Sequence, residues 1–534
     1  MNDNISKSNS KISISELLIY LYFIIMFGAR AIGILEGSLT YNVVLLLGAA
    51  LIIGRLLSVE YSIFELLVIG IILILAAVSY LLSGEKGILL YLVFMFGLKN
   101  INSRNMLRIA VVISGITFPV MAFLALSGIR HDTIWYIRRG IFGNADSAII
   151  RWSLGYSHSN VCHIVFLILC AMILFFAPRE KSKLLFNSIV LAILNIVLYF
   201  YTYSRTGFLG VFALILLHAY YMHRGHLSIV DKVIAVSLYP FIAFISVLLP
   251  YFIEPGNLYN IIDKLTSERL SKAYNFVHGS SIPLFGQRLD LSFATMLDNS
   301  YLYLLGQNGF IIALIMLVIN VFTVMYLIKI NRLKALALVL IIQIAGYMEP
   351  FMYNLSFRNV AFIFYGEAFF YYLSKLQEQL DYSFFNYKVR IIKLDRNIEG
   401  LTAFFEKMYY DLKDVISNTY NVIGRMLGVA ITVALVSLVV FRIISPWPSI
   451  VYSCDENYVN FENQIEYFTE SEVESIEESG GIVINYKDSI TPVYEIPYDY
   501  GYIYYFQILT KGLGVLIAVL LVQTIIVGVT RKKY

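Results

Sequence analysis

Uninterrupted apolar stretches of about 20 residues recur along the chain, and they limit its fold more than any other feature. A helix of that length crosses a hydrocarbon core of about 30 Å with its backbone polar groups satisfied internally. The stretches lie roughly at 14–34, 40–58, 62–82, 87–100, 107–128, 158–177, 184–203, 205–222, 229–251, 298–328, 333–349, 358–375, 425–445 and 506–529. They predict an all-α polytopic membrane protein with about fourteen transmembrane helices. Strands of alternating polarity are missing, which argues against a β-barrel.

Composition agrees. The 534 residues are 59% hydrophobic and 14% charged, and the mean hydropathy is +0.73. A net charge of +4 is too small to imply nucleic acid, and the basic residues serve better to orient the chain. The first dozen residues are polar, with Lys7 and Lys11, and no small-residue cleavage site follows the apolar run from Leu17. That run reads as a retained first helix. Cys162 and Cys170 share one apolar segment and Cys454 stands alone, so neither a disulfide framework nor a zinc spacing is expected.

With the amino terminus inside, the cytoplasmic loops include 99–108, 178–183, 223–232, 329–334 and the terminal 531–533, all basic. This satisfies the positive-inside rule, which the opposite orientation violates. The external face then carries three long segments, 129–157, 252–297 and 446–505, and loops of that length carry function more often than they merely connect. Three parts are expected: a membrane core over 1–375, a cytoplasmic amphipathic linker over 376–424, and a tail over 425–534. The tail would comprise a helix, an external segment and a returning helix.

External loops should be poor in cations, yet this face has Arg130, Arg138, Arg139, Arg151, Arg205, Arg269, Arg288 and Arg358, with few lysines such as Lys264 and Lys272. The bias to arginine matters, because a planar guanidinium grips phosphate through two parallel hydrogen bonds. An anion held at the outer membrane surface, such as a lipid pyrophosphate, accounts for it. Snorkelling to headgroups or pairing with nearby acids is the competing structural role. Arg205 stands apart, since "YSRTG" leaves almost no loop between two helices and directs its guanidinium back toward the bundle, where ionisable groups are functional by default.

Five short stretches in order carry a resemblance: "RWSLGYSHSN" (151–160), "YTYSRTGFLG" (201–210), "SERLSKAY" (267–274) followed by "PLFG" (283–286), "DNSYLYLLGQNGF" (298–310) and "NLSFRN" (354–359). Over roughly residues 15–375 the chain resembles the bacterial O-antigen ligase and polysaccharide polymerase superfamily. The resemblance implies a metal-independent, inverting glycosyl transfer on the outer face of the bacterial cytoplasmic membrane. The donor would be a glycan on undecaprenyl pyrophosphate, and the polymerase branch joins it to the next lipid-linked repeat unit. By analogy Arg205 and Arg269 would hold the leaving pyrophosphate, whose developing charge preorganised cations stabilise. Arg151, Arg358, Asn160, Ser204, Asn299 and Tyr301, from the same motifs, complete the expected substrate-binding set. No cofactor or metal is implied, and "LEGSL" (35–39) offers only Glu36 where a carboxylate pair would be needed.

Ligases of the superfamily begin the fourth motif with histidine, ten residues and a glycine. Here Asp298 takes that place, with Gly309 following. That departure resembles polymerases of capsule and exopolysaccharide systems. Asp298 is accordingly the first candidate for the base that takes the acceptor proton, and His158 the second. Helix capping is the alternative role for Asp298, Asn299 and His158, and ion pairing with Asp146 or Glu349 is the alternative for Arg151 or Arg358.

Beyond the core, the external tail segment is acidic and then strand-like in "GGIVINYKDSITPVYEIP" (480–497). Its plan resembles that of polysaccharide chain-length regulators, without a supporting motif. The expected partners are the lipid-linked oligosaccharide and the bilayer, and possible ones a chain-length regulator or flippase. The rival functions are ligation to another acceptor and transport of the lipid-linked oligosaccharide itself.

Overall fold

The computed structural model describes residues 12–34, 36–126, 130, 132–138, 148–178, 180–266, 269–289, 297–380, 382–394, 397–398, 426–434, 436–437, 440, 451–454, 465–479, 481–484, 486–495 and 500–531. Among them the helices run α1 Ile14–Ala31, α2 Leu39–Ser58, α3 Ile63–Ser83, α4 Gly87–Gly97, α5 Ser103–Leu126, α6 Ser159–Phe176, α7 Lys181–Thr202, α8 Arg205–Arg224 and α9 Ile229–Phe252. Then follow α10 Asn257–Thr266, α11 Arg269–Gly279, α12 Ser300–Tyr303, a π-helical turn Leu304–Asn308, α13 Phe310–Lys329, α14 Leu333–Gly346, α15 Phe362–Leu380, α16 Ser383–Asn386, α17 Glu470–Glu478 and α18 Tyr500–Arg531.

Nine of these are long and apolar enough to cross a membrane, namely α1, α2, α3, α5, α6, α7, α8, α9 and α13. The protein is thus a mainly helical, multi-pass membrane protein, but the expected count of about fourteen is not reproduced. The stretch 87–100 yields 11 helical residues and 333–349 yields 14. Both short helices are largely buried, so protein and not lipid surrounds them. The stretch 358–375 becomes α15, which begins later and ends in polar residues. The tail stretch 425–445 is described only in part, and 506–529 lies within the 32-residue α18.

Helix starts follow local chemistry. Ser13 with Glu16, Ser62 with Glu65 and Ser228 with Asp231 form capping boxes at α1, α3 and α9, satisfying amide donors that the first turn leaves open.

The described residues divide into two units, one of 1–118, 164–196 and 205–404, the other of 119–163, 197–204 and 405–534. The stretch up to 404, expected as the start of the linker, is grouped with the first unit. Within that unit, contacts between helix ends join ends assigned to the same side. Buried Arg55 donates to the carbonyls of Gly97 and Lys99 and to Ser15 Oγ, all at ends expected inside. Arg332 pairs with Glu367 at the same side. The linker continues this pattern, with strands β5 (Lys388–Val389) and β6 (Asn397–Ile398) pairing antiparallel with β2 (Tyr61–Ser62) and β1 (Ile12–Ser13). The amphipathic stretch 401–416 lies outside the described residues.

A buried polar network ties α9, α13, α14 and α15 together. Tyr365 donates to Asn320 Oδ1 at 2.6 Å, Gln343 Nε2 reaches the same oxygen at 3.1 Å, and the hydroxyls of Tyr239 and Tyr353 lie 2.7 Å apart. Asn320→Leu leaves two donors without their acceptor, and should lower stability by about 1–3 kcal/mol, measurable as an earlier thermal unfolding transition in detergent.

In the second unit, β3 (Ile134–Arg138) and β4 (Ala148–Trp152) form an antiparallel hairpin. Strands β7 (Val451–Ser453), β8 (Ile465–Glu466), β9 (Ile482–Ile484) and β10 (Val493–Glu495) form a sheet in the order β8-β10-β7-β9. Cys454, Val473, Val483 and Val493 make its core, so the acidic helix α17 packs through Val473 while its glutamates face solvent. The strand-like reading of 480–497 thus corresponds to β9 and β10.

Candidate functional site

The "RWSLGYSHSN" motif and the first four residues of "YTYSRTGFLG" meet in the second unit around Thr202. Its carbonyl accepts from Arg151 Nε at 2.8 Å, and its hydroxyl lies 2.9 Å from His163 Nδ1 and receives the Ser204 amide at 3.3 Å. Arg151 also donates through Nη2 to Asn160 Oδ1. Buried Arg151 and Ser204, with half-buried Asn160, therefore build a turn, and the guanidinium of Arg151 is occupied in holding it. Asp146, its expected alternative partner, lies outside the described residues. The turn carries strain where it matters, since Tyr203 has φ of +45° without being glycine. Two residues later α8 begins at Arg205.

Asp132 organises the other half of this motif. Its Oδ1 accepts the amides of Ser153 and Gly155 at 3.2 and 2.9 Å, and its Oδ2 accepts the Tyr201 hydroxyl at 2.8 Å. Burial nevertheless pushes the Asp132 carboxyl above its ordinary value. Between the two amides Leu154 adopts φ of +50°. His158 Nδ1 accepts the Asn160 amide at 3.0 Å at the start of α6, which is the capping geometry.

In the first unit, Ser246, Thr266, Arg269, Asp298, Asn299 and Tyr347 line one cleft together with apolar neighbours. Arg269 enters it heavily committed: Nε donates to the Met348 carbonyl at 2.7 Å, Nη1 to Thr266 at 3.2 Å and Nη2 to Glu349 at 2.6 Å. Glu349, weighed as a partner of Arg358, pairs with Arg269. Both side chains of that pair are 12% exposed. Arg269→Ala should therefore cost about 3–5 kcal/mol by stranding a buried carboxylate. Arg269→Met with Glu349→Leu should recover most of that loss in thermal unfolding, which separates a structural clamp from a substrate contact.

Asp298 is half exposed and pairs with Lys272 at 2.8 Å, a partner that the motif reading omitted. The cap of α12 is Asn299 and not Asp298: Asn299 Oδ1 accepts the Tyr301 and Leu302 amides at 2.8 and 3.2 Å, while its Nδ2 donates to Ser246 at 2.9 Å. Asp298 is thereby free of a capping role and remains at the cleft. Tyr301 points the other way, buried, its hydroxyl donating to the Gln343 carbonyl at 2.8 Å. It braces the bundle instead of the substrate set.

The "PLFG" and "GQNGF" segments dock on one another. The Phe310 and Ile311 amides donate to the carbonyls of Pro283 and Leu284 at 2.9 and 3.1 Å, and the Gln287 amide to Gln307 at 3.1 Å. The π-helical turn and the glycine break at Gly309 make room for this contact, splitting the apolar stretch 298–328.

Arg205 differs from Arg151 and Arg269. It is half-buried at the first position of a 20-residue helix, and its guanidinium has no hydrogen-bond or ionic partner among the described residues. Asn195 Nδ2 binds the Phe208 carbonyl at 3.0 Å and fixes the first turn of that helix to α7.

Arg358 lines a second cleft, beside Arg30, Phe27, Ser114, Ser356 and Phe357. The apolar span 14–34 concealed Arg30, although an arginine near the outer end of such a span is the signal that exposes it. No family model, curated protein or solved structure matches the chain. The two clefts share no lining residue, and Arg205 lines neither.

Proposed function

We propose that the protein is a polysaccharide polymerase of the O-antigen, capsule or exopolysaccharide type, acting at the outer face of a bacterial cytoplasmic membrane. It transfers a glycan from polyprenyl pyrophosphate to a hydroxyl of a lipid-linked repeat unit. The observation that supports it best is the guanidinium of Arg205, which stands half-buried at a helix amino terminus after a strained turn and has no hydrogen-bond or ionic partner among the described residues. A half-buried forked cation suits a phosphate or pyrophosphate.

The acceptor oxygen attacks the anomeric carbon from the side opposite the pyrophosphate, so the carbon–oxygen bond to the leaving group breaks with inversion. Arg205 takes the charge that develops on the departing pyrophosphate. The acceptor proton passes to Asp298, whose carboxylate stands half exposed at its cleft with Lys272 alongside. Arg151, Asn160 and Ser204 act earlier in the chain of causes, by holding the turn that leads into Arg205.

The test is polymerisation by the purified protein in lipid, given a lipid-pyrophosphate-linked repeat unit and no other enzyme. A ladder of products is expected. Movement of the lipid-linked unit across the bilayer with no ladder would replace this reading with transport.

A further inference from the structure

The stretch "YSFFNYKVRIIK" (382–393) opens the segment expected as a cytoplasmic linker, yet its side chains are not those of a solvated connection. Tyr382, Phe384, Tyr387 and Ile391 are 63%, 65%, 66% and 71% exposed, and Ile392 is exposed beside them. A patch of this kind marks a surface that something else covers.

Backbone hydrogen bonds fix the depth at which the stretch lies. The Tyr387 carbonyl accepts the Ile63 amide at 3.0 Å at the start of α3, and the Leu57 carbonyl, in the last turn of α2, accepts the amides of Ile391 and Ile392 at 3.2 and 3.0 Å. The Leu394 carbonyl accepts the Ser15 amide at 3.4 Å in the first turn of α1. The stretch therefore runs as a belt across the same-side ends of three helices long and apolar enough to cross the membrane. Phe385 anchors it, its ring 5.8 Å from that of Phe64 on α3. A chain tied to helix ends in this way lies where hydrocarbon gives way to water. Ile53 of α2 and Leu67, Ile71 and Ile74 of α3 are exposed, so the belt continues a lipid-facing surface.

Lys388, Arg390 and Lys393 stand in the middle of the belt, with Asp381 and Asp395 at its two ends in sequence. Glu60 pairs with Lys388 at 3.0 Å and lies 3.9 Å from Arg390, which offsets one positive charge and leaves exposed Lys393 outside the pair. A membrane surface supplies both things that the belt lacks: an acyl boundary for the exposed rings, and phosphates for cations that reach outward from it.

We propose that residues 382–394 lie in the headgroup layer of the leaflet expected to face the cytoplasm, and that this belt binds acidic phospholipid. Phe384 and Ile391 enter the acyl boundary, the tyrosines place their hydroxyls among the headgroups, and Lys388 and Lys393 meet the lipid phosphates. The assignment holds whichever reaction the protein performs.

Depth is read on the full chain in nanodiscs of phosphatidylcholine with phosphatidylglycerol, through a nitroxide on Phe384→Cys or on Ile391→Cys. The described native cysteines are all buried and should stay unlabelled. Both labels should collide more often with oxygen than with a water-soluble nickel chelate, as a label on Ile71→Cys in the lipid-facing surface of α3 should. Chelate collisions exceeding oxygen collisions at both belt positions would overturn the membrane assignment and leave these side chains to a protein partner. Lipid choice is read with photoreactive phosphatidylglycerol in proteoliposomes. Crosslinks within 382–394 are expected, and their yield should fall about 5-fold for each cation removed in Lys393→Gln and in Lys388→Gln with Lys393→Gln. A photoreactive phosphatidylcholine that labels the stretch equally, or a yield unchanged in the double variant, would overturn the preference for acidic lipid.

Discussion

Arg205→Lys is expected to slow polymer formation about 10- to 100-fold at equal expression, and Arg205→Ala about 100- to 1000-fold. The larger figure is the usual cost of removing one preorganised group that stabilises charge developing in a transition state. Lysine keeps the charge but not the fork, so a substantial loss on that substitution separates bidentate grip from general electrostatics. Folding should be nearly unaffected, because Arg205 has no protein partner among the described residues to lose. That contrast identifies the role: Arg269→Ala should destabilise, whereas Arg205→Ala should leave the unfolding transition in place and remove turnover. The measurements are product length and rate on a gel, paired with thermal unfolding of the same preparations. Full activity of Arg205→Lys would exclude an essential forked grip.

What was legible in the sequence follows from which forces act locally. Hydrocarbon leaves a span no alternative to the helix, so the ends of α2, α3, α8 and α9 fall within a few residues of the apolar stretches. The near-absence of a loop at 203–204 was readable for the same reason, because two apolar runs abut there. Pairing partners were not readable. Glu349 lies nine residues from Arg358 in sequence, yet α11 brings Arg269 to it from 80 residues away. Nor was the direction of Tyr301, which depends on α14 standing beside α12 with a free carbonyl at Gln343. Asp298 and Asn299 show the intermediate case: a capping pair was visible, and only the fold decides that Asn299 caps while Asp298 meets Lys272.

Gly309 is the residue whose smallest possible change should cost the most. A Cβ there would lie 2.5 Å from the Gly286 nitrogen, 2.7 Å from the Phe285 carbonyl carbon and 2.8 Å from the Leu284 oxygen, and its φ is +90°. All three neighbours are backbone, so no side chain can swing aside to relieve the clash. Gly309→Ala must either push the "PLFG" segment off or refold the π-helical turn, and each breaks the amide contacts of Phe310, Ile311 and Gln287. The expected loss is about 3–5 kcal/mol, combining left-handed strain with the broken docking. The turn lies one short helix, α12, after Asp298 and Asn299, so polymer formation should disappear with it. Gly70→Ala is the control, because a Cβ in that helical position meets nothing within 4 Å and alanine favours the helix. Thermal unfolding of the two variants in the same detergent should therefore separate widely. Equal transitions would mean that "PLFG" and "GQNGF" do not pack backbone against backbone, and the cleft at Asp298 would lose the support on which its geometry depends.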